Sequence, residues 1–451
     1  MSNDKKMSLT VKVLLGMFLG IVVGLIINFT HMNATGSFIN IYIVDGLFFV
    51  VGKIFVNALK ILVVPLVFFS LICGVCGIGN IKTLGRVGTK SFALYMLTTA
   101  IAIAIAISIS ASVGLGEGME LQVATSFETK EAPPLKNVLI DIVPSNPIKA
   151  MADGDMLPLI FFSILVGISI LLVGKKASKF VESAEIANEI MMKMVSVIMA
   201  VAPYAVFALI ARSISQLGID LLSHLAGYVT ILIGSLFIHL FITLMIVLKL
   251  FSGLSPIMFI KKIRNTQVFA FSTASSNATI PVTLRTATER LGVDNSVASF
   301  TVPFGATINM DGTAIMQGVA TVFIANLYGL DLTTGDYLTV ILMSVLASIG
   351  TAGVPGVGLV MLSMVFTQVG LPVEGIGLIL GVDRLMDMIR TAVNVSGDAV
   401  VSSIVAKSEG KLDLGIYNDR HAGAVISSQL HIDEKTEQEL AKAVIQTHDK
   451  S

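Results

Sequence analysis

The stretch of residues 375–406 is apolar over most of its length, and yet it carries five charged side chains. They are Asp383, Arg384, Asp387, Arg390 and Asp398. A helix turns by 100° per residue, so the face that contains Asp383 also contains Asp387, Arg390, Thr391, Asn394 and Asp398. A charge at the centre of a bilayer costs at least ~2.5 kcal/mol, so such a face has to meet a protein partner, water or a ligand. The pattern indicates a transport site within a membrane protein.

The overall composition points to the same environment. Hydrophobic residues make up 54% of the 451 residues, charged residues only 13%, and the mean hydropathy is +0.87. No soluble domain of this size hides so much apolar surface, so we predict an all-α polytopic membrane protein in a lipid bilayer. The net charge of zero argues against nucleic acid as a partner. No role is predicted for the six histidines, which are His31, His224, His239, His421, His431 and His448.

The positions of the basic residues predict which side of the membrane each loop faces. Nine apolar runs lie at about 8–29, 42–78, 91–115, 156–174, 188–212, 220–252, 295–329, 337–370 and 375–406. Basic clusters occur at Lys5/Lys6, Lys82/Arg86/Lys90, Lys175/Lys176/Lys179, Lys261/Lys262/Arg264, Arg285/Arg290 and Lys407/Lys411. Because cytoplasmic loops are rich in Lys and Arg, all of these clusters and both termini are predicted to be cytoplasmic. The first run is long enough to span and no small-x-small cleavage site follows it, so we predict a helix rather than a signal peptide.

Two stretches cannot cross the membrane without breaking this charge pattern. Residues 265–284 have basic flanks on both sides and contain Pro281, and residues 337–370 have a glycine-rich centre with Pro355. Such a backbone is tolerated only where it is buried in protein or lines a cavity. We therefore predict two re-entrant helical hairpins, one from each face, together with eight transmembrane helices. Two kinked ordinary helices are the alternative.

Interrupted segments that enter from opposite faces are typical of inverted repeats with a binding site near the midplane. The sequence contains a weak internal echo of such repeats. The two hairpins are followed by Asn309-Met310-Asp311-Gly312-Thr313 and by Asn394-Val395-Ser396-Gly397-Asp398. The echo and the two hairpins together favour an inverted repeat.

Arg390 is the strongest candidate for a substrate-binding residue. Its guanidinium stays charged and matches a carboxylate through two parallel hydrogen bonds. Asp387, one turn earlier, can hold an ammonium group, while Thr391 and Asn394 add neutral hydrogen bonds on the same face. An acidic amino acid presents the complementary groups. An internal Arg–Asp ion pair that only fastens helices together is the alternative.

Oxygen-bearing side chains elsewhere could hold a hard monovalent cation such as Na⁺, which prefers several oxygen ligands, including carbonyls of unwound helix. The candidates are Asp311 and Asp398, which adjoin Gly312 and Gly397, the amides of Asn309 and Asn394, and the hydroxyls of Tyr95, Thr98 and Thr99. Taken singly, a threonine in a membrane helix more often bonds to its own helix carbonyl than to a ligand.

The tip of the first hairpin offers groups that attract a carboxylate. Ser275, Ser276 and Asn277 lie there, where exposed N–H groups and helix dipole ends favour an anion. Serine-rich turns are common, so the pattern alone is only suggestive of a binding site.

Three motifs together resemble the glutamate transporter family, the dicarboxylate/amino acid:cation symporters, over about residues 8–411. They are Asn309-Met310-Asp311-Gly312-Thr313, Gly350-Thr351-Ala352-Gly353-Val354-Pro355 and Asp383-x3-Asp387-x2-Arg390-Thr391-x2-Asn394-x3-Asp398. The resemblance implies a homotrimer in the cell inner membrane that works by an elevator mechanism. Helices 1–2 (1–90) and 4–5 (116–217) would form a scaffold. Helix 3 (91–115) and residues 218–408 would form a moving transport domain, followed by a cytoplasmic tail (409–451).

The resemblance also implies roles for individual residues. The substrate site would comprise Arg390, Asp387, Thr391, Asn394, Thr313, Ser275, Ser276 and the backbone of Gly353 and Val354. A first sodium site would use Gly305, Asn309, Asn394 and Asp398. A second would use Thr307, Met310 and the backbone carbonyls of Ser348, Ile349 and Thr351 in the second hairpin, and a third Tyr95, Thr98, Thr99, Asn309 and Asp311.

Two positions depart from patterns within this family. Asn277 stands at the first hairpin tip where many prokaryotic members carry serine, which bears on substrate preference. Gln317 stands where proton-coupled animal relatives carry a glutamate, which favours sodium over proton coupling.

These features predict a sodium-coupled symporter for aspartate and/or glutamate, and not an enzyme. Alternatives of the same fold are a symporter for neutral amino acids or C4-dicarboxylates and a proton-coupled glutamate symporter. Arg390 disfavours neutral substrates, and Asp387 disfavours C4-dicarboxylates. An intramembrane aspartyl hydrolase would need two carboxylates that share a proton, which the cation at Arg390 opposes. A passive channel would not accumulate substrate against a gradient.

Overall fold

The computed structural model describes residues 7, 9–34, 36–76, 84–118, 140, 143–349, 351, 353 and 355–423. Within these residues the chain is helical, and its only strand-like pairing is an isolated bridge between Val293 and Leu412. The α-helices are α1 (Leu9–Phe29), α2 (Phe49–Cys76), α3 (Thr89–Ser112), α4 (Pro147–Asp153), α5 (Met156–Val173), α6 (Ser178–Ala200), α7 (Ala202–Leu217), α8 (Asp220–Ile238), α9 (Leu244–Ser252), α10 (Pro256–Thr273), α11 (Ser276–Arg285), α12 (Asn295–Ile308), α13 (Asp311–Leu327), α14 (Thr334–Ser348), α15 (Val357–Gln368), α16 (Ile376–Ser408) and α17 (Leu414–Asn418). Short π-helical segments occupy Ile39–Phe48, Leu84–Gly88, His239–Thr243 and Thr286–Arg290, and 3-10 turns occupy Gly174–Ala177 and Val373–Gly375.

Five continuous helical segments of the described chain are long and apolar enough to cross a bilayer. They are Val11–Phe29, Ile39–Cys76, Arg86–Ser112, Pro158–Ala200 and Asp220–Ser252. The predicted run 188–212 is divided, because α6 ends at Ala200 and α7 begins at Ala202. Pro203 in the first turn of α7 lacks the N–H that a continuous helix would need. The predicted run 295–329 is divided as well, by an extended Asn309 between α12 and α13.

Both predicted re-entrant segments are helix–turn–helix hairpins rather than kinked helices. In the first hairpin α10 ends at Thr273, and the next residue, Ala274, turns the chain with a φ of 48°. Ser275 then caps α11, because its side chain accepts a hydrogen bond from the Ala278 N–H. In the second hairpin a capping box of Thr333 and Asp336 starts α14. The hairpins are therefore ordered by local capping chemistry as well as by their surroundings.

Small residues allow α1 to lie directly against α7. A Cβ atom on Gly20 would come within 2.8 Å of the Phe207 carbonyl oxygen, and one on Gly24 would come within 2.8 Å of Ile214 Cβ. Gly16 similarly faces the backbone of Pro203. A stripe of glycines at four-residue spacing is a common way to bring membrane helices into close contact.

Helix α16 lies at the centre of the fold, where it packs against α10, α12 and α13. Its polar face is therefore turned toward protein, and helix α3 packs against α13 on the other side of the break at Asn309. This arrangement places α3, α12, α13 and α16 around the residues that the sequence singles out.

Residues 411–418 belong to the predicted cytoplasmic tail, but part of this segment packs against the first hairpin. Leu412 pairs with Val293 at the base of the first hairpin, and Tyr417 of α17 is buried. The buried ammonium group of Lys262 donates to the carbonyls of Arg290 and Ile416 at 2.5 Å each. Apolar side chains and a buried cation thus hold this segment on the hairpin.

Candidate substrate and cation sites

Arg390 is fully buried in protein and is ion-paired with two carboxylates of its own helix. Its Nη1 lies 2.9 Å from Oδ1 of Asp383, and its Nη2 donates to Oδ1 of Asp387 at 2.9 Å. Among the described residues, Nε of Arg390 and Oδ2 of Asp387 have no hydrogen-bond partner. Nη1 of Arg384 lies 3.6 Å from that Oδ2. The pair therefore keeps an unused N–H donor and an unused acceptor oxygen, which suits a ligand that carries both charges.

Glycines bring the helix break and the second hairpin close to Arg390. A Cβ atom on Gly312 would lie 2.6 Å from the Arg390 carbonyl oxygen, so only glycine fits there. A Cβ atom on Gly358 of α15 would lie 3.4 Å from both Nη2 of Arg390 and Cγ2 of Thr313. Thr313 and the second arm of the second hairpin therefore lie beside Arg390.

The two remaining predicted substrate residues on α16 have different surroundings. The Thr391 hydroxyl donates to the carbonyl oxygen of Asp387 at 2.7 Å, a bond within its own helix. Asn394 instead reaches the helix break, where its Oδ1 accepts from the Gly312 N–H at 2.7 Å and its Nδ2 contacts the Met310 sulfur at 3.3 Å. Asn394 therefore links the substrate residues to the break.

The tips of the two hairpins touch each other. The Ser275 hydroxyl donates to the Gly353 carbonyl at 2.7 Å, and the Asn277 N–H donates to the same oxygen at 3.1 Å. Ser276 is buried beside them, and a Cβ atom on Gly353 would lie 3.0 Å from Ser276 Cβ. Val354, which was predicted to line the site with Gly353, lies outside the described residues. The contact between the two hairpin tips therefore closes one side of the candidate substrate site.

The residues predicted for the first sodium site lie together. Asn309 donates through Nδ2 to Oδ1 of Asp398 at 2.9 Å and to the Asn394 carbonyl at 3.1 Å. In the described structure, Oδ1 of Asn309 is buried without a hydrogen-bond partner. A Cβ atom on Gly305 would overlap the Asp398 carboxylate and lie 2.6 Å from the Tyr95 hydroxyl. A carboxylate, an orphaned amide oxygen and a backbone that approaches closely are a fitting donor set for a hard cation.

Three of the residues predicted for the third sodium site, Thr98, Thr99 and Asp311, lie together. Oδ1 of Asp311 accepts from Thr99 at 2.6 Å, and the Thr98 hydroxyl lies 3.4 Å from this oxygen and 3.1 Å from the Tyr95 carbonyl oxygen. Its Oδ2 lies 2.9 Å from Nε2 of His239. The other two predicted ligands have their hydrogen bonds elsewhere: Tyr95 donates to the Thr301 carbonyl at 2.9 Å, and Asn309 donates to Asp398 at 2.9 Å.

His239 is a site residue that the sequence analysis did not identify. It is buried, and it lies within the apolar segment 220–252. An ionisable side chain inside a membrane helix is by default a candidate for function, so its position in this segment was the available signal.

The residues predicted for the second sodium site lie on α12, at the helix break and at the tip of the second hairpin. The hydroxyls of Thr307, Ser348 and Thr351 donate to carbonyls of their own helices or turns, at 2.9, 2.7 and 2.7 Å. Thr307 and Thr351 share a cavity of about 280 Å³ with residues of α2 and α6. The carbonyl oxygen of Ile349 faces α2 as well, 3.3 Å from where a Cβ on Gly74 would lie. These hydroxyl bonds do not involve the carbonyls that are predicted as ligands in the second hairpin, so this site stays a prediction.

In a helical membrane protein, two hairpins that meet beside a buried arginine and clusters of oxygen donors are the arrangement expected of a secondary active transporter. Residues 9–408 match the sodium:dicarboxylate symporter family, and the chain belongs to it. The chain is 33% identical over 417 residues to the proton/sodium-glutamate symport protein of Geobacillus stearothermophilus, covering 90% of this chain and 96% of the relative. It is 34% identical over 420 residues to the proton/glutamate-aspartate symporter of Escherichia coli K12 (90% and 94%). It is 31% identical over 414 residues to the C4-dicarboxylate transport protein of Bacillus subtilis 168 (90% and 94%).

Proposed function

We propose that this protein takes up aspartate and/or glutamate together with sodium ions. The observation that carries the proposal is the Arg390–Asp387 pair, which is buried in protein and leaves Nε of Arg390 and Oδ2 of Asp387 unbonded. A buried ion pair that served only to fasten helices would be expected to satisfy all of its polar atoms. Two acidic-amino-acid relatives support the same substrate class.

The substrate orientation follows from the charges. The side-chain carboxylate of the substrate would accept from Arg390, and its ammonium group would donate to Asp387. Its α-carboxylate would lie at the hairpin tips, near Ser276 and the N-terminus of α11, where helix N–H groups favour an anion. Thr313, Thr391 and Asn394 would complete the site. A C4-dicarboxylate has no ammonium group for Asp387, and a neutral amino acid has no second carboxylate for Arg390.

Asn394 offers a physical route for coupling between substrate and cation. Its side chain accepts from Gly312 beside Arg390, and its carbonyl accepts from Asn309 at the proposed cation position. A sodium ion bound between Asp398 and the free oxygen of Asn309 would therefore order residues of the substrate site. Because coupling is reciprocal, substrate would raise sodium affinity by the same factor.

Sodium is proposed as the coupled ion rather than a proton. The amide of Gln317 is buried in α13 and cannot release or bind a proton at ordinary pH. The clusters at Asp398 and Asp311 supply oxygen donors suited to a hard cation. Proton coupling is the second candidate, because the Escherichia coli relative bears the name of a proton symporter.

Two sets of ion pairs bear on the proposed division into a scaffold and a moving transport domain. One set joins α3 to α16, and the other joins α2 to the segment before α16. Glu409, just beyond α16, binds Arg86 and Lys90 at the start of α3 at 2.6 Å each, which favours movement of α3 together with α16. Hydrogen bonds from Lys90 and Arg86 hold the pKa of Glu409 below its usual range.

Lys53 of α2 pairs with Glu374, before α16, at 2.5 Å. If α2 belongs to a static scaffold, this second pair breaks when the transport domain moves.

A homotrimer in the inner membrane with both termini in the cytoplasm completes the proposal.

Sodium coupling can be tested with purified protein in liposomes. Labelled aspartate should accumulate when Na⁺ is higher outside than inside and should not accumulate when choline replaces Na⁺. Unlabelled glutamate should compete, whereas succinate and serine should compete poorly. Equal uptake in choline, or uptake driven by a proton gradient alone, would contradict sodium coupling.

A further inference from the structure

His239 has an unusual position for a histidine in a membrane segment. It begins the π-helical segment His239–Thr243 between α8 and α9, and its ring is buried among α3, α13 and α16. Single π-helical turns inside α-helices occur frequently at functional sites, because they redirect one side chain. The ring here is directed at Asp311, the carboxylate of the proposed third cation site.

The hydrogen bonds indicate the form of the ring. Nε2 lies 2.9 Å from Oδ2 of Asp311, whereas Nδ1 has no partner in the part of the chain that the structure describes. A carboxylate can only accept, so Nε2 carries a hydrogen and donates it. The ring therefore holds Oδ2 of Asp311 through a hydrogen bond from Nε2.

The two oxygens of Asp311 consequently have different tasks. Oδ2 is taken up by His239 and faces Gly397 of α16, where a Cβ atom would lie 3.3 Å away. Oδ1 faces the hydroxyls of Thr98 and Thr99 on α3. Since hydroxyl oxygens retain lone pairs while they donate, Oδ1 and the two threonines together can present oxygens to one cation.

We propose that His239 is a positioning residue for the coupled cation: it holds one oxygen of Asp311 so that the other faces Thr98 and Thr99. This inference rests on the proposed sodium coupling and extends it to a residue that would not itself bind the ion. Partners of this kind orient metal ligands in proteins, and their loss typically lowers metal affinity 10- to 100-fold.

Two substitutions separate positioning from simple packing. His239→Leu keeps an apolar side chain but removes the donor, so the Asp311 carboxylate can rotate away from the threonines. His239→Gln keeps an N–H donor at similar reach and cannot carry a charge. Ser235→Ala, one turn earlier on α8, is the matched control, because it also alters a buried polar side chain and its hydroxyl has no partner among the described residues.

The measurement is Na⁺-dependent thermal stabilisation of the purified protein without substrate, followed by aspartate titration at saturating Na⁺. His239→Leu should raise the Na⁺ concentration at half-effect at least about 10-fold, while His239→Gln and Ser235→Ala should stay within about threefold of the parent. Aspartate affinity at saturating Na⁺ should be unchanged in all three. A purely structural role would lower the melting temperature of His239→Leu without moving its Na⁺ midpoint, and that result would overturn the proposal. If the unsubstituted protein shows no Na⁺ response, sodium coupling itself fails and the role of His239 fails with it.

Discussion

Replacing Arg390 with alanine is expected to lower the affinity for aspartate about 100-fold or more at saturating Na⁺. Hydrogen bonds to charged groups contribute about 1.5–3 kcal/mol each, and the guanidinium offers the substrate carboxylate more than one. Each 1.4 kcal/mol corresponds to a factor of ten in the dissociation constant. Isothermal titration with aspartate, glutamate and serine measures the effect. Serine should lose little, because it has no side-chain carboxylate.

The arginine substitution needs a companion, because it leaves the carboxylates of Asp383 and Asp387 buried without a cation. Breaking a buried ion pair costs about 3–5 kcal/mol, so the alanine variant is expected to be less stable. Arg390→Lys retains the charge but not the planar pair of donors, and it should fold while binding aspartate at least about tenfold more weakly. Arg212→Ala removes a remote arginine paired with Asp45 at 3.1 Å and serves as the control. Aspartate binding of ordinary strength in both Arg390 variants would remove this residue from the substrate site.

Charge arithmetic in the sequence was sufficient to predict the hairpins. Basic flanks on both sides of 265–284, and glycine and Pro355 in 337–370, gave two segments that could not cross, and the structure shows a helical hairpin at each. The period of a helix likewise predicted that Asp387, Arg390 and Asp398 share the polar face of α16. These features follow from rules that act locally or on whole segments, so a single sequence contains them.

Pairings between distant helices were harder to predict. No periodicity links His239 to Asp311, which are 72 positions apart and meet only because α8, α9 and α13 pack together. Asp383 and Asp387 both lie on the same face of α16 as Arg390. Whether Arg390 pairs with one or both of them therefore depends on side-chain rotation, which the sequence pattern does not predict. The second sodium site was predicted from the resemblance alone and stays a prediction, while the hydroxyls of its two threonines donate to nearby carbonyls of the chain. Hydroxyl groups choose between these partners by local geometry that residue type does not encode.

Replacing Asp398 with asparagine is expected to lower the Na⁺ affinity at least about tenfold and to make the Na⁺ dependence of aspartate binding less steep. The substitution keeps the shape of the side chain and an oxygen that can accept from Asn309 Nδ2, while it removes the charge and replaces the other carboxylate oxygen with an NH2 group. A carboxylate in direct contact with a monovalent cation contributes about 4 kcal/mol or more at an effective dielectric constant of ~20, so loss of that charge should dominate.

Ser402→Ala is the control on the same helix, because it removes a buried hydroxyl that bonds to Thr301 at 2.8 Å and lies one turn from Asp398. Aspartate titrations at several Na⁺ concentrations give the steepness, and an unchanged slope in Asp398→Asn would place the cation elsewhere. Because Asn309 joins Asp398 to Asn394, aspartate should also bind the variant more weakly at low Na⁺ and recover as Na⁺ rises.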